Sequence, residues 1–137
     1  MERYYFDTSI WLNFFEKRNE FNLPKGEYTE ILIKLIIRKG DKVIISDILK
    51  NELLKLGYLR NEIENMFFPL RRILIYFPSN KKQFKRAKDL SKKRNIPLLD
   101  AMHALLARDQ KAIMITRDKH FLLLRDIITS KRPEEIT

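Results

Sequence analysis

The sequence has no cysteine, two histidines and three glycines in 137 residues. Without cysteine there are no disulfides, no thiolate zinc sites and no cysteine nucleophile. Two histidines are too few for a histidine-rich metal centre, so a metal is expected to rest mainly on carboxylates, the ligands of magnesium and manganese. Three glycines leave no phosphate-cradling loop of the GxxxxGK kind. No apolar run approaches the roughly 18 residues that span a bilayer. The opening MERYYFD is charged and aromatic where a signal peptide would be apolar. The expectation is a soluble, cytoplasmic protein without membrane contact.

What is present points elsewhere. Apolar residues make up 45%, enough for a proper core. The length suits one domain over residues 1–137. Lysine and arginine number 28 against 18 acids, a formal charge of +10. Such a surplus suits a polyanionic partner such as nucleic acid, or simply a lysine-rich, soluble surface.

Short apolar runs alternate with longer helical patterns. RYYF (3–6), KVIIS (42–46), ILIYF (73–77) and AIMIT (112–116) read as strands. FLLLRDIITS (121–130) closes the sheet region less clearly. Helices are expected over 10–16 (capped by Thr8 or Ser9), 24–40, 47–57, 61–70, 80–95 and 97–110. In the second of these Tyr28, Ile31, Leu32, Leu35 and Ile36 fall at helical spacing. The tail KRPEEIT is expected to be loose. This alternation predicts an α/β fold, a three-layer α/β/α sandwich around a mostly parallel sheet.

Three strand patterns run into an aspartate: Asp7, Asp47 and Asp118. Ligands of open α/β sheets bind at the carboxyl ends of strands. Each aspartate alone is equally a helix cap or turn residue. Asp47, directly after Ser46 at a helix start, fits that structural role best and is set outside the site. Glu52 lies on the apolar stripe of Ile48, Leu49, Leu53 and Leu56. A carboxylate facing a core is costly unless it is ion-paired, for example to a lysine, or bound to a metal. Asp100 opens the apolar helix of Met102, Leu105 and Leu106, where the helix dipole favours an acid. Asp7, Glu52, Asp100 and Asp118 are therefore expected to converge on one edge. Crowded carboxylates need a cation, and hard oxygen ligands select Mg²⁺ or Mn²⁺. A site of that kind activates water and clamps a phosphate for in-line displacement.

Other residues are weighed against plainer roles. His103, three residues after Asp100, is read as a packing residue or a partner behind the acids rather than a general base. Trp11, Phe14 and Phe15 are read as core or dimer interface. The basic helix 80–95 is a solvated face with Phe84, Ala87 and Leu90 or Ser91 inward; Lys81, Lys82, Lys85 and Arg86 are its candidate RNA contacts.

Four segments, YYFDTSIWLNFF, VIISDILKNELLKLG, IPLLDAMHALLA and IMITRDKHF, occur in order along the chain. Together they resemble a PIN domain, the fold of many ribonucleases, including VapC-type toxins of toxin–antitoxin pairs. The resemblance covers nearly the whole chain, and the closing RPEEI also resembles the end of many such domains. It implies a metal-dependent endoribonuclease that leaves a 5′-phosphate and a 3′-hydroxyl with no covalent intermediate. Asp7 matches the acid after the first strand. Glu52 matches the glutamate of S-D-x-x-x-x-E-L, Asp100 the acid of D-A-x-H-x-x-x-A, and Asp118 the acid of T-x-D-x-x-F. Ser9 and Thr116 become supporting hydrogen-bonding groups, and Asn13 is placed facing the same pocket. Some relatives carry a further acid in the last segment; none is assigned here. The resemblance also implies a cognate antitoxin and a homodimer. The alternative is a PIN-like module that binds RNA or protein without catalysis. A haloacid dehalogenase-type phosphatase needs a second aspartate at position 9, which is Ser9.

Overall fold

Apolar runs rich in β-branched and aromatic residues form the strands Arg3–Phe6 (β1), Lys42–Ile45 (β2), Leu74–Tyr76 (β3) and Ile113–Ile115 (β4) in a computed structural model describing residues 1–136. Ser130–Lys131 (β5) completes the sheet. The order is β3-β2-β1-β4-β5 and every neighbouring pair is parallel. The expected mostly parallel sheet is thus parallel throughout.

Parallel strands need helical crossovers on both faces. Thr8–Phe15 (α1), Lys25–Lys39 (α2), Asp47–Lys55 (α3) and Arg60–Phe67 (α4) cover one face; Lys81–Arg94 (α5) and Leu98–Asp109 (α6) cover the other. Strand residues alternate between the two cores. Tyr4, Phe6, Val43, Ile45 and Ile115 pack with Trp11, Leu32, Ile36, Leu53 and Phe67. Tyr5, Ile44 and Met114 pack with Ala87, Leu90, Ala101 and Leu105. Each fully buried leucine or phenylalanine stabilises the fold by roughly 1.5–3 kcal/mol. Among the described residues no helix is long and apolar enough to cross a membrane.

Local signals set the helix ends. Ser46 accepts the Leu49 N–H (3.2 Å) to start α3, and Asn80 with Gln83 forms a capping box on α5. Gly40 ends α2 in the left-handed conformation at φ 74°. Gly26 is required for another reason: a Cβ there would sit 2.6 Å from the Asn13 carbonyl oxygen where α2 meets α1.

Several expectations need correction. The 121–130 run closes the sheet only at its last residue: Lys119–Leu124 forms a 3₁₀ turn, and the strand begins at Ser130. Phe121 and Leu124, three residues apart, are its buried residues. The helix expected over 61–70 ends at Phe67, and a 3₁₀ turn carrying Pro69 follows. On α2, Ile31 is exposed and Ile33 buried, and Leu56, just past the end of α3, is exposed. On α5, Phe84 is exposed beneath Lys88, while Gln83 turns inward to reach Asp109. The tail is not loose through residue 136: Pro133–Ile136 (α7) packs on α2, and Arg117 grips Glu134 by two bonds of 2.8 Å. Thr137 lies outside the described residues. Of the two roles expected for Trp11, the core is the one it takes: it is fully buried and stacks with Phe15.

Candidate active site

The chain leaves β1 toward β2 and β3, then returns to β4 and β5 on the other side. The crevice at the carboxyl ends of β1 and β4 is therefore the switch point, where open α/β sheets bind ligands. Asp7 and Asp118 follow those two strands. The Asp7 N–H donates to the Ile115 carbonyl (3.1 Å), tying one strand exit to the other.

Asp7 is buried and serves two purposes. Its Oδ1 accepts the Ile10 N–H (3.1 Å) and caps α1, the role expected of Thr8 or Ser9. The same oxygen accepts the Ser9 hydroxyl (2.7 Å), and Oδ2 accepts the Thr116 hydroxyl. Burial pushes the Asp7 carboxyl above its ordinary value, although these bonds and nearby His103 pull it down.

Thr116 continues the chain of contacts by accepting the Asp118 N–H (3.0 Å). Asp118 Oδ1 in turn accepts the His120 N–H (2.9 Å), which starts the 3₁₀ turn. This folds the imidazole back over the acids. His120 Nδ1 lies 2.9 Å from Asp100 Oδ2 and 3.1 Å from Asp118 Oδ1. Asp100 arrives from the first turn of α6. Burial and then the Asp118 charge raise Asp100 to about 6, against the pull of His120 and His103. The Asp118 charge and the Asp100 hydrogen bond raise His120. One donor atom from each of Asp100, Asp118 and His120 lies within 4.8 Å of the other two.

Glu52 closes the other flank. Its Oε1 accepts the Thr8 hydroxyl (2.9 Å) and the His103 Nε2–H. A carboxylate only accepts, so Nε2 donates to Glu52, and Nδ1 pairs with the Tyr5 hydroxyl at 2.6 Å. The Tyr5 oxygen in turn meets the Ser46 hydroxyl at 2.7 Å. Burial would raise Glu52, but the His103 hydrogen bond and charge, the Thr8 hydroxyl and Lys55 outweigh it, so Glu52 is lowered. Burial raises the Tyr5 phenol strongly.

The structure thus brings Asp100 and Asp118 together, joins Asp7 to Asp118 through Thr116, and sets Glu52 beside Thr8, the neighbour of Asp7. His103 meets Glu52 through one ring nitrogen and Tyr5 through the other, which puts it behind the acids. Ser9 and Thr116 bond Asp7. Among the described residues no hydrogen bond links the Asn13 side chain to the acids. Asp47 is used elsewhere, accepting the N–H and hydroxyl of Ser79 at 2.7 Å each.

Lys81, Lys82, Lys85 and Arg86 are set apart from this edge. Gln83 donates to Asp109 (2.8 Å), so their half of α5 lies beside the last turn of α6. Asp100 sits in the first turn of α6, about 13 Å away along the axis. The basic groups next to Asp118 are Arg117, Lys119, Lys131 and Arg132, lining a depression of about 360 Å³. Glu134 holds Arg117 and Glu135 holds Arg132; among the described residues Lys119 and Lys131 form no ion pair.

Sequence reasoning missed His120, Tyr5 and Thr8. His120 carried a signal, a ligand-type side chain two residues after a strand-exit acid. Tyr5 carried a fainter one, since a phenol on a buried strand needs a partner. The donor set of carboxylate oxygens with one imidazole nitrogen, and the repulsion between Asp100 and Asp118, fit a divalent cation.

Three solved structures resemble the chain closely in fold at low identity. A toxin–antitoxin complex from Klebsiella pneumoniae has a TM-score of 0.67 at 18% identity, covering 95% of this chain and 97% of that one. VapBC-1 from nontypeable Haemophilus influenzae has a TM-score of 0.67 at 19%, covering 96% and 98%. VapBC2 from Rickettsia felis, bound to a promoter DNA fragment, has a TM-score of 0.66 at 14%, covering 95% and 98%. No curated protein gives a significant match. The sequence pattern of the PIN domain matches residues 4–126, and the chain belongs to the PIN domain family.

Proposed function

We propose that this protein is a divalent-metal-dependent endoribonuclease, with Asp7, Glu52, Asp100 and Asp118 as the acids of its site and Mg²⁺ or Mn²⁺ as its cofactor. The observation that carries this reading is the Asp100–Asp118 pair. Two carboxylates drawn from different elements lie 2.9 and 3.1 Å from the same imidazole nitrogen, and burial together with the Asp118 charge raises Asp100 to about 6. A divalent ion relieves that repulsion, and the PIN family membership supplies the matching chemistry. When bound, the ion supplies Lewis acidity and neutralises charge developing on the phosphate.

The chain's own residues prepare the site. Thr116 and Ser9 orient the Asp7 carboxylate, His103 and Thr8 orient Glu52, and the Asp118 cap fixes the turn that follows it. Lys119 and Lys131 offer positive charge to the phosphates on one side of the acids. The formal charge of +10 favours a polyanionic substrate overall.

The proposal extends to biology. Similar solved structures are toxin–antitoxin complexes, and we read this chain as the toxin of a type II pair with a cognate antitoxin. Association of two copies and a cytoplasmic location belong to the same reading, as does a single nuclease domain over residues 1–137. A module that binds without catalysis has no need for this full acid set.

The test is cleavage of single-stranded RNA by the purified chain with Mg²⁺ or Mn²⁺. Asp7→Asn and Asp118→Asn are expected to abolish cleavage, and excess EDTA to stop the wild type. Undiminished cleavage in EDTA or in both variants contradicts the proposal. Salt-dependent RNA binding without cleavage under any metal favours the binding module.

A further inference from the structure

His120 sits at the start of a 3₁₀ turn with its side chain 46% exposed, free to point at water. Instead its Nδ1 stands between two carboxylates from different elements, 2.9 Å from Asp100 and 3.1 Å from Asp118. The placement is built in: Thr116 holds the Asp118 N–H, Asp118 caps the His120 N–H, and the buried Phe121 anchors the turn.

We infer that His120 is a metal ligand, its Nδ1 completing a mixed nitrogen–oxygen site with Asp100 and Asp118 that selects Mn²⁺ over Mg²⁺. The inference rests on the metal of the proposed nuclease, and names a ligand and a selectivity which that reading leaves open.

The distances support it. In an octahedral site with bonds of about 2.1 Å, adjacent donor atoms are about 3.0 Å apart. Both imidazole-to-carboxylate separations match that spacing, so one ion can be reached by Nδ1 and by both carboxylates. Only neutral imidazole can bind, so metal uptake displaces the Nδ1 proton. A nitrogen ligand then biases the choice of ion. Mg²⁺ prefers oxygen donors and keeps its waters, whereas first-row transition ions accept imidazole. A histidine used only as a counter-charge brings no such bias, since a lysine or arginine neutralises carboxylates equally well.

The composition makes the test clean, because only two histidines exist. The experiment uses the whole chain with metal alone. Mn²⁺ and Mg²⁺ affinities are measured by titration and competition, and pulsed EPR of the Mn²⁺ complex reads imidazole nitrogen coupling. The wild type is expected to show that coupling and to bind Mn²⁺ in preference to Mg²⁺. His120→Ala is expected to lose the coupling and weaken Mn²⁺ by at least about tenfold while changing Mg²⁺ far less. His120→Asp is expected to shift preference toward Mg²⁺. Circular dichroism confirms that each variant is folded.

Coupling that survives in His120→Ala assigns the nitrogen to His103 and overturns the inference. Equal weakening of both ions, no coupling in the wild type, or no Mn²⁺ binding also overturns it. Absence of RNA cleavage by a protein that shows the coupling overturns the nuclease reading alone.

Discussion

The Thr116 hydroxyl donates to the buried carboxylate of Asp7, and the same oxygen accepts the Asp118 amide hydrogen. One side chain at the end of β4 therefore sets both strand-exit acids. Thr116→Val keeps the volume and removes both bonds. It is expected to cost about 1–3 kcal/mol in urea unfolding, because a buried carboxylate loses a donor. It is also expected to weaken Mn²⁺ binding by about 10–100-fold. Thr116→Ser should retain most of both. Unchanged Mn²⁺ affinity in the valine variant contradicts the coupling.

Asp100 predicts how stability depends on pH when no metal is added. Its carboxyl is raised from 3.8 to about 6, so between those values the folded protein holds a proton that the unfolded chain has released. Stability falls as pH rises through that window. His120, raised above 6.5, acts with the same sign at higher pH: its contribution is complete below 6.5 and is lost as pH rises through the folded value. Urea unfolding of wild type and Asp100→Asn in EDTA checks this. The wild type is expected to lose stability relative to the variant between about pH 4 and 6. A constant difference across that range contradicts it.

The positions of these acids in the fold are legible in the sequence, because apolar periodicity marks strand ends and helix stripes. Asp7 and Asp118 lie where the β1 and β4 patterns stop, and Glu52 lies on a stripe of which Leu49 and Leu53 are buried and Leu56 is not. The plainer role of a strand-exit aspartate is present as well, since Asp7 and Asp118 cap the elements that follow them. The partner of Glu52 was not legible. Periodicity shows that a residue faces inward, whereas His103 reaches Glu52 only through the packing of α6 near α3. The α5 lysines show the same limit. Sequence identifies a basic helix, but the pairing of Gln83 with Asp109 decides which end lies near the acids. His120 depends on the 3₁₀ turn Lys119–Leu124, which nothing in the span between AIMIT and the apolar run 121–130 announces.

The grip of Arg117 on Glu134 joins the exit of β4 to the C-terminal helix. Both side chains are largely covered, at 13% and 23% exposure, and the bonds are paired at 2.8 Å. Glu134→Ala leaves the guanidinium mostly buried without its partner and is expected to destabilise the fold by about 2 kcal/mol. Replacing both residues, Arg117→Met with Glu134→Leu, should cost less than the single change. Denaturant midpoints of the two variants make the comparison. A double variant weaker than Glu134→Ala would show that the contact does more than satisfy its own charges.

Charge placement gives the last prediction, on RNA binding. Lys119 and Lys131 line the depression next to Asp118 without ion-pair partners among the described residues, whereas Lys81, Lys82 and Lys85 stand at the remote end of α5. Each lysine that neutralises a phosphate of single-stranded RNA contributes about 0.7 to the logarithmic salt slope. In an Asp7→Asn background, which keeps the α1 cap and prevents cleavage during the measurement, Lys119→Ala with Lys131→Ala is expected to lower that slope by about 1.4. Alanine at Lys81, Lys82 and Lys85 should lower it less, despite removing three charges. Fluorescence anisotropy with a labelled oligonucleotide across a range of salt separates the two sets. If the α5 set has the larger effect, the strand runs along the basic helix and not across the carboxyl edge of β4 and β5.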